Sequence, residues 1–308
     1  ARGVAFLQPD ASSNGLRAFL FHTALTDLAA ADPLTPGERH PGLGFEREWP
    51  GQTWGEYRAR RVAYDDRDPE ILVVGGAHAG VCLSAQLQRM GADVLIVDRH
   101  QRAGDSWRTR YESLALHTPT SMSDFPFMPF PEVFPEYLPK DKVADWIESY
   151  VRLMDLNYWT STEFLGAEFD EDTLTWTARL RRADGSIRVL HPKHVVMAIG
   201  GVGSRPRRPE LPGLDSFAGT VVHSADFRTA REHRDVRALV VGAGTSAHDI
   251  ALDLHHHGAQ VTMLQRGSTS VVDVDVANVV YSDYVSGSAM PRDEADLRSN
   301  AKFIVPLF

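Results

Sequence analysis

A single cysteine, Cys82, stands among the 308 residues, so the chain holds no intrachain disulfide and no Cys-x-x-Cys redox pair. That scarcity argues against dithiol–disulfide exchange and fits a reducing, cytoplasmic compartment. No apolar run approaches the ~18–20 residues that span a bilayer, and no signal peptide is visible, so no membrane partner is expected. Positive charge is also short: 32 Lys and Arg against 41 Asp and Glu leave a formal charge of −9. Without a basic stripe the chain does not read as a nucleic-acid binder, and any anionic ligand must be held by local groups. A Ser/His/Asp constellation and a metal-ligand cluster are missing too. His255-His256-His257 point in different directions from a helix end and read as a solvated last turn rather than a metal site.

What is present is an internal repeat. Residues 71–99 (ILVVGGAHAGVCLSAQLQRMGADVLIVDR) align without a gap on 238–266 (ALVVGAGTSAHDIALDLHHHGAQVTMLQR), Gly75 on Gly242 and Gly91 on Gly258, a constant offset of 167. Each copy is an apolar run, a Gly-rich turn, an amphipathic stretch, a Gly stop and a second apolar run. That pattern is a βαβ unit, and two copies predict two nucleotide-binding domains in series.

The first turn, Gly75-Gly76-Ala77-His78-Ala79-Gly80, follows a strand and opens a helix, so its amides and the helix dipole face a diphosphate. Gly75 permits the tight turn, Gly80 lets helix and strand pack closely, and Ala77 stands where a second Gly is usual. His78 either touches a cofactor or points to solvent. Asp98 ends the second strand, where a carboxylate accepts hydrogen bonds from a ribose 2′-hydroxyl, and Arg99 follows it. In the second copy, Gly242-Ala243-Gly244-Thr245-Ser246-Ala247 forms the turn, and Gln265-Arg266 replace Asp98-Arg99. Loss of the acid removes repulsion of a ribose 2′-phosphate, which an Arg binds with paired hydrogen bonds. The first copy therefore suits FAD and the second suits NADPH rather than NADH.

Elsewhere, Val4–Gln8 and Leu16–Leu25 read as strands, and a polar, Gly/Pro-rich stretch runs from Asp32 to about Arg61. Lys140–Leu156 has helical periodicity, with Val143, Trp146, Ile147, Tyr150, Val151 and Met154 on one face. Thr173–Leu180 and Ile187–Leu190, joined by a turn at Asp184-Gly185, predict a small antiparallel insertion. His194–Ile199 reads as a buried strand and Ser204–Pro212 as a linker. Cys82 reads as a small buried helix residue. Phe125, Phe127, Phe130 and Phe134 either line a substrate entrance or pack over the sheet. The ends, Ala1 and Ile304–Phe308, read as cut.

Between the turns, Phe217 to Phe227 (FAGTVVHSADF) fits F-x-G-x-x-x-H-x-x-x-[F/Y] and resembles the signature of the flavin-containing monooxygenases, class B flavoprotein monooxygenases, and related N-hydroxylases. Gly104-Asp105-Ser106-Trp107-Arg108 and Tyr111-Glu112-Ser113-Leu114 are similar to that family's G-G-x-W segment and its sequel. Leu116-His117-Thr118-Pro119, Phe130-Pro131 and Pro139-Lys140-Asp141 resemble its YUCCA-like and bacterial branch. The similarity runs from about residue 40 to the end. Two departures stand out: Ala198-Ile199-Gly200 where many members have Ala-Thr-Gly, and His117 where animal-type members carry Asn, as the YUCCA-like branch also has His.

The resemblance implies an α/β fold of two Rossmann-like domains, an FAD domain over 65–204 and an incomplete NADPH domain over 205–308. Residues 1–40 are then the remnant of a preceding domain, similar to nuclear transport factor 2, plus a linker. It places Gly104, Ser106, Trp107 and His117 with FAD, the last two near the flavin. It makes Phe217, Gly219, His223 and Phe227 an interdomain joint, in which His223 organises a hinge instead of moving protons. The implied reaction uses NADPH and O₂, through a C4a-(hydro)peroxyflavin, to oxygenate a small carbonyl, amine or sulfide. An NADPH oxidase releasing H₂O₂ and a non-catalytic nucleotide-binding fragment stay open, as does a homo-oligomeric state.

Overall fold

The computed structural model describes residues 2–9, 15–24, 51–200, 206–269, 271–280 and 294–299. The two runs read as strands near the start form an antiparallel pair, β1 (Arg2–Pro9) and β2 (Leu16–Ala24), with a register shift between Phe6 and Leu7. Of the stretch read as polar and Gly/Pro-rich from Asp32 to about Arg61, residues 32–50 lie outside the described residues. At its end α1 (Trp54–Ala63) is a helix for which the sequence reading has no element. Thr53 and Glu56 close a reciprocal capping box at its start, which satisfies two orphan amides. No residue of α1 is buried, so hydrophobic periodicity does not announce it. Arg58 ties the helix down, donating to the Asp155 carbonyl at 2.7 Å and to Asn157 Oδ1 at 3.1 Å.

The first βαβ unit is β3 (Ile71–Val74), α2 (His78–Arg89) and β4 (Val94–Val97). The short α3 (Asp105–Arg108) and the longer α4 (Lys140–Leu153) lead to β5 (Asn157–Trp159). The helix expected over 140–156 stops at Leu153, ahead of Asp155, whose φ of 50° is not helical. Next come β6 (Glu163–Asp170), β7 (Thr175–Arg181) and β8 (Ile187–Leu190), the antiparallel insertion, then β9 (His194–Met197). Strands β5-β4-β3-β9 form a parallel sheet in that order.

Both faces of this sheet are covered, which is why β3 and β4 are apolar at every position. Ile71, Val73, Val94 and Ile96 face α2 and α4 in a core with Val81, Val143, Ile147 and Tyr150. Leu72, Val74, Leu95 and Val97 face the insertion, against Ala178, Leu180 and Leu190. Each such aliphatic side chain contributes about 1.5–3 kcal/mol by leaving water. The buried-strand reading of 194–199 needs correction: β9 is the sheet edge, ends at Met197, and leaves Met197 and Ile199 about half exposed.

The second unit repeats the first: β10 (Arg237–Val241), α5 (Thr245–His256) and β11 (Gln260–Leu264), the strands parallel. α6 (Val274–Val280) follows. Ile250 and Leu254 of α5 pack with Ala238, Val240 and Val261 on one side of this two-stranded sheet. On the other side Leu239, Val241 and Leu264 are more than half exposed. Among the described residues, no helix is long and apolar enough to cross a membrane.

Candidate dinucleotide sites and the seam between them

The first turn is held from three directions. Gly75 takes a φ of +101°, and its amide donates to the Val97 carbonyl at 2.9 Å. A Cβ on Gly75 would lie 2.4 Å from the Ala198 carbonyl oxygen, and one on Gly80 would lie 1.9 Å from the Gly75 oxygen. Helix, turn and β9 thus meet at van der Waals limits, as the spacing of glycines leads one to expect. Ala77 begins α2 with no side-chain cap, leaving the first amides of the helix for another acceptor.

Asp98, at the end of β4, fastens this turn. Its Oδ2 accepts from Gly76 N–H at 2.8 Å, while Oδ1 accepts from His100 N–H at 2.8 Å and meets His100 Nδ1 at 2.7 Å. Burial pushes its pKa up, but the hydrogen bonds from His100 and Gly76 outweigh that and hold it below the ordinary value. A carboxylate offers about four acceptor positions. Three are taken among the described residues, which leaves one position on Oδ2. Tyr158 of β5 donates to the Gly76 carbonyl at 3.2 Å and fills the space a Gly76 side chain would need. His100 and Tyr158 escape sequence reasoning; a histidine two residues beyond the acid is the only local sign.

His78, left between cofactor and solvent by sequence, is half-buried and stacks on Phe125 at 4.3 Å; burial lowers its pKa. Phe125, Phe130 and Phe134 belong to the core with Trp146 and Tyr150, so packing, not an entrance, is their place; Phe127 alone of the four is exposed. Gly104, with φ +88°, admits α4, since a Cβ there would stand 2.3 Å from the Ala144 oxygen. Ser106 Oγ is buried without a hydrogen-bond partner. Trp107 packs against the core of the first unit and the cluster beside α5. Arg99 is exposed.

In the second turn Gly242 takes φ +124° and donates to the Leu264 carbonyl at 2.8 Å. Gly244 begins α5, again without a side-chain cap, and Ala247 closes the first helical turn on the Gly244 carbonyl at 2.9 Å. Nothing lies within 4 Å of a Cβ on Gly242 or Gly244. Thr245, Gln265 and Arg266 are exposed and Ser246 is half-buried. His255 and His256 are exposed at the end of α5, as a solvated last turn requires, but His257 departs from that reading: it is half-buried, its Nδ1 2.8 Å from the Asp253 carbonyl. Among the described residues no three metal-ligating side chains stand together.

The two units meet at a seam. Phe227, the last residue of the signature, is buried with Tyr111, Leu114, Ile250 and Leu254. Glu112 N–H donates to the Arg228 carbonyl at 2.8 Å, and Ala230 N–H to Asp253 Oδ2 at 3.0 Å. His223 Nδ1 accepts from Ala225 N–H at 3.1 Å, so its proton sits on Nε2, which donates to the Arg207 carbonyl at 3.2 Å. The ring of Phe217 occupies the space a Gly219 side chain would take. Asp249 of α5 receives Tyr111 Oη at 2.6 Å and His117 Nε2 at 3.1 Å. A cavity of about 440 Å³ opens there, lined by Ser113, Leu116, His117, Tyr137, Asp249 and Val274 among others. No sequence signal marks Asp249, because its partners lie 132 and 138 residues away.

This arrangement can be placed among known proteins. The family model described as pyridine nucleotide-disulphide oxidoreductase matches residues 72–286. The chain belongs to that family. Over 205 residues it is 32% identical to the indole-3-pyruvate monooxygenase YUCCA1 of Oryza sativa subsp. japonica, covering 66% of this chain and 49% of that protein. A mutant of the flavin monooxygenase from Stenotrophomonas maltophilia superposes with a TM-score of 0.62 at 25% identity, covering 70% of this chain and 63% of that one. OTEMO, solved in complex with FAD and NADP, shares the fold with a TM-score of 0.58 at 20% identity, covering 79% and 45%. The chain spans about half the length of the curated relatives it matches. The flavin monooxygenase resemblance and the doubly Rossmann-like α/β fold read from the sequence therefore stand. The family's name refers to disulphide chemistry, yet Cys82 lies half-buried on α2 and burial pushes its thiol up to about 12.

Proposed function

We propose that the chain is the cofactor-binding part of a monooxygenase that holds FAD on the first unit and NADPH on the second. One oxygen atom of O₂ would pass to a small organic substrate. The observation that carries this reading is one turn geometry used twice with opposite chemistry at its rim: a hydrogen-bonded carboxylate, Asp98, after β4, and exposed Gln265-Arg266 after β11. Uncapped starts of α2 and α5 and the unpartnered Ser106 Oγ fit diphosphate-bearing ligands with donors to spare. Relatives named as indole-3-pyruvate monooxygenases favour a carbonyl substrate. The single, half-buried thiol, with no second cysteine to pair with, fits a cytoplasmic setting.

When bound, FAD and NADPH supply hydride transfer and oxygen activation; the chain supplies binding, orientation and exclusion of water. Asp98 would accept the FAD ribose hydroxyl on its remaining Oδ2 position, while Gly76 and His100 keep it ionised. The α2 amides from His78 to Gly80 would hold the FAD diphosphate, and those of Thr245, Ser246 and Ala247 that of NADPH. Arg266 would take the 2′-phosphate in paired hydrogen bonds, with Gln265 adding no repulsion. Trp107 and His117, on the segments that reach the seam, would wall the space between the cofactors. Phe217, Gly219, His223 and Phe227 would keep the joint in register.

The test is an absorbance spectrum of the purified chain after reconstitution with FAD, followed by titration with NADPH and NADH. Binding of flavin and faster bleaching by NADPH support the proposal; a chain that takes up no flavin overturns it. Measuring oxygenated product against H₂O₂ with the full-length protein separates a monooxygenase from an oxidase.

A further inference from the structure

Among the described residues Asp249 is the one side chain of α5 that bonds two residues of the first unit, and both bonds fall on a single oxygen. Tyr111 is almost fully buried, and its hydroxyl donates to Oδ2 at 2.6 Å; burial and this carboxylate push the Tyr111 pKa up to about 12. His117 meets the same oxygen at 3.1 Å. Asp249 stands one helical turn beyond Thr245, so a displacement of its side chain carries the start of α5 with it. The other contacts of α5 itself with the first unit are softer, an apolar cluster of Leu114, Phe227, Ile250 and Leu254 and a long Arg110–Ser246 approach of 3.4 Å. The short bonds that cross elsewhere, Glu112 N–H to the Arg228 carbonyl at 2.8 Å and the Arg228 side chain to the Thr109 carbonyl, do not involve this helix. Apolar surfaces slide with little change in energy, whereas a short charge-assisted hydrogen bond is directional.

We propose that Asp249 is a positioning residue that fixes the second nucleotide unit against the first, and through it the approach of nicotinamide to flavin. The inference rests on the cofactor assignment above. Asp249 does not touch the reacting atoms. It sets the distance between two ligands by holding α5 to the segment 111–117. Loss of the anchor leaves each turn intact, so binding persists while transfer slows. A misplacement of about 1 Å can cost on the order of a hundredfold in rate.

The experiment has a cofactor-free arm and a cofactor-loaded arm, both on the chain as it stands. Spin labels at Gln86→Cys on α2 and His255→Cys on α5, both exposed positions, report the distance between units by pulsed electron resonance. Asp249→Ala is expected to broaden or shift that distribution, Tyr111→Phe to do so as well, and Asp249→Asn, which keeps an acceptor for Tyr111, to fall between. In the loaded arm, flavin reduction by saturating NADPH is expected to slow about a hundredfold in Asp249→Ala, with flavin content unchanged and NADPH affinity within about threefold. An unchanged distance distribution in both Asp249→Ala and Tyr111→Phe overturns the proposal. So does loss of flavin and NADPH binding together with rate, which would make Asp249 a folding residue. If the parent chain is not reduced by NADPH, the cofactor reading fails, and the spin-label arm still decides whether Asp249 sets the seam.

Discussion

In the first unit Gly75 takes φ +101° and meets the Val97 carbonyl at 2.9 Å; in the second, Gly242 takes +124° and meets Leu264 at 2.8 Å. Helices of twelve residues follow both turns, and neither is capped by a side chain. Yet β3 and β4 are buried throughout, whereas β10 and β11 leave Leu239, Val241 and Leu264 exposed. Around the first turn a Cβ on Gly75, Gly76 or Gly80 would strike a neighbour, while one on Gly242 or Gly244 would meet nothing within 4 Å. The turn's backbone is thus a local property of the repeat, written twice. Its tolerance of substitution is a property of the layers packed on it, and those differ.

The sharpest test of that distinction is Gly80, whose place in the repeat is taken by Ala247 in the second unit. Gly80→Ala puts a methyl 1.9 Å from the Gly75 carbonyl oxygen and should cost about 3 kcal/mol, as overpacking against fixed backbone does. Urea unfolding of the purified protein reads it. A loss below about 1 kcal/mol would mean that α2 can stand off β3 as freely as a helix with Ala at that position, and the contrast between the units would dissolve.

The acid at the rim gives a second, smaller effect. Asp98→Asn removes the charge that holds Gly76 and His100 and should cost about 2 kcal/mol, in the range for hydrogen bonds to charged groups. Because the folded pKa of Asp98 lies below its unfolded value of about 3.9, its contribution is complete above about pH 4. It fades as pH falls through the depressed folded value. The Asn variant should therefore lose less stability on acidification than the parent over that window. Gln265→Ala, at the equivalent exposed position, should change stability by no more than about 0.5 kcal/mol. An equal loss at both positions would show that burial around the first turn does not matter.

Next comes the pair's ligand selectivity. Arg266 is exposed at the end of β11, so Arg266→Ala should leave folding unchanged. Under the proposed assignment it reduces the preference for NADPH over NADH by about tenfold, or about 1.4 kcal/mol. Comparative titration of the flavin spectrum measures this. An unchanged preference would make Arg266 a solvated surface residue and nothing more.

Much of this molecule was open to sequence reading because it rests on short-range pattern. The βαβ units are fixed by a Gly turn between apolar runs, and α4 by the periodicity of Val143, Ile147 and Tyr150. Helix α1 was hidden because its start is marked by a capping box, Thr53 with Glu56, and no apolar face follows. Strand β6 was hidden because its register shifts between Phe164 and Gly166, which breaks the alternation a strand is recognised by. The edge position of β9 was hidden because Val195 and Val196 look the same in sequence whether one or two strands flank them. At the candidate site, Gly75, Gly80 and Asp98 were legible from spacing. His100, Tyr158 and Asp249 were not, since each acts through a partner that only the tertiary fold supplies.

The smallest expected effect isolates what the second turn owes to its own backbone. Gly244 corresponds to Ala77 in the repeat, and its φ of −81° with ψ of 169° is open to any L-residue. With nothing within 4 Å of a Cβ there, Gly244→Ala should change stability by no more than about 0.5 kcal/mol, the unfolded chain's lost freedom set against the poorer helix start that Ala makes at the N-cap. A glycine that neither conformation nor packing demands invites the third reason for one, close approach of a diphosphate to backbone. The same variant should then weaken NADPH binding by about threefold, while Ala77 already makes the corresponding concession in the first unit. Unchanged affinity alongside unchanged stability would leave Gly244 without a physical reason in this fold.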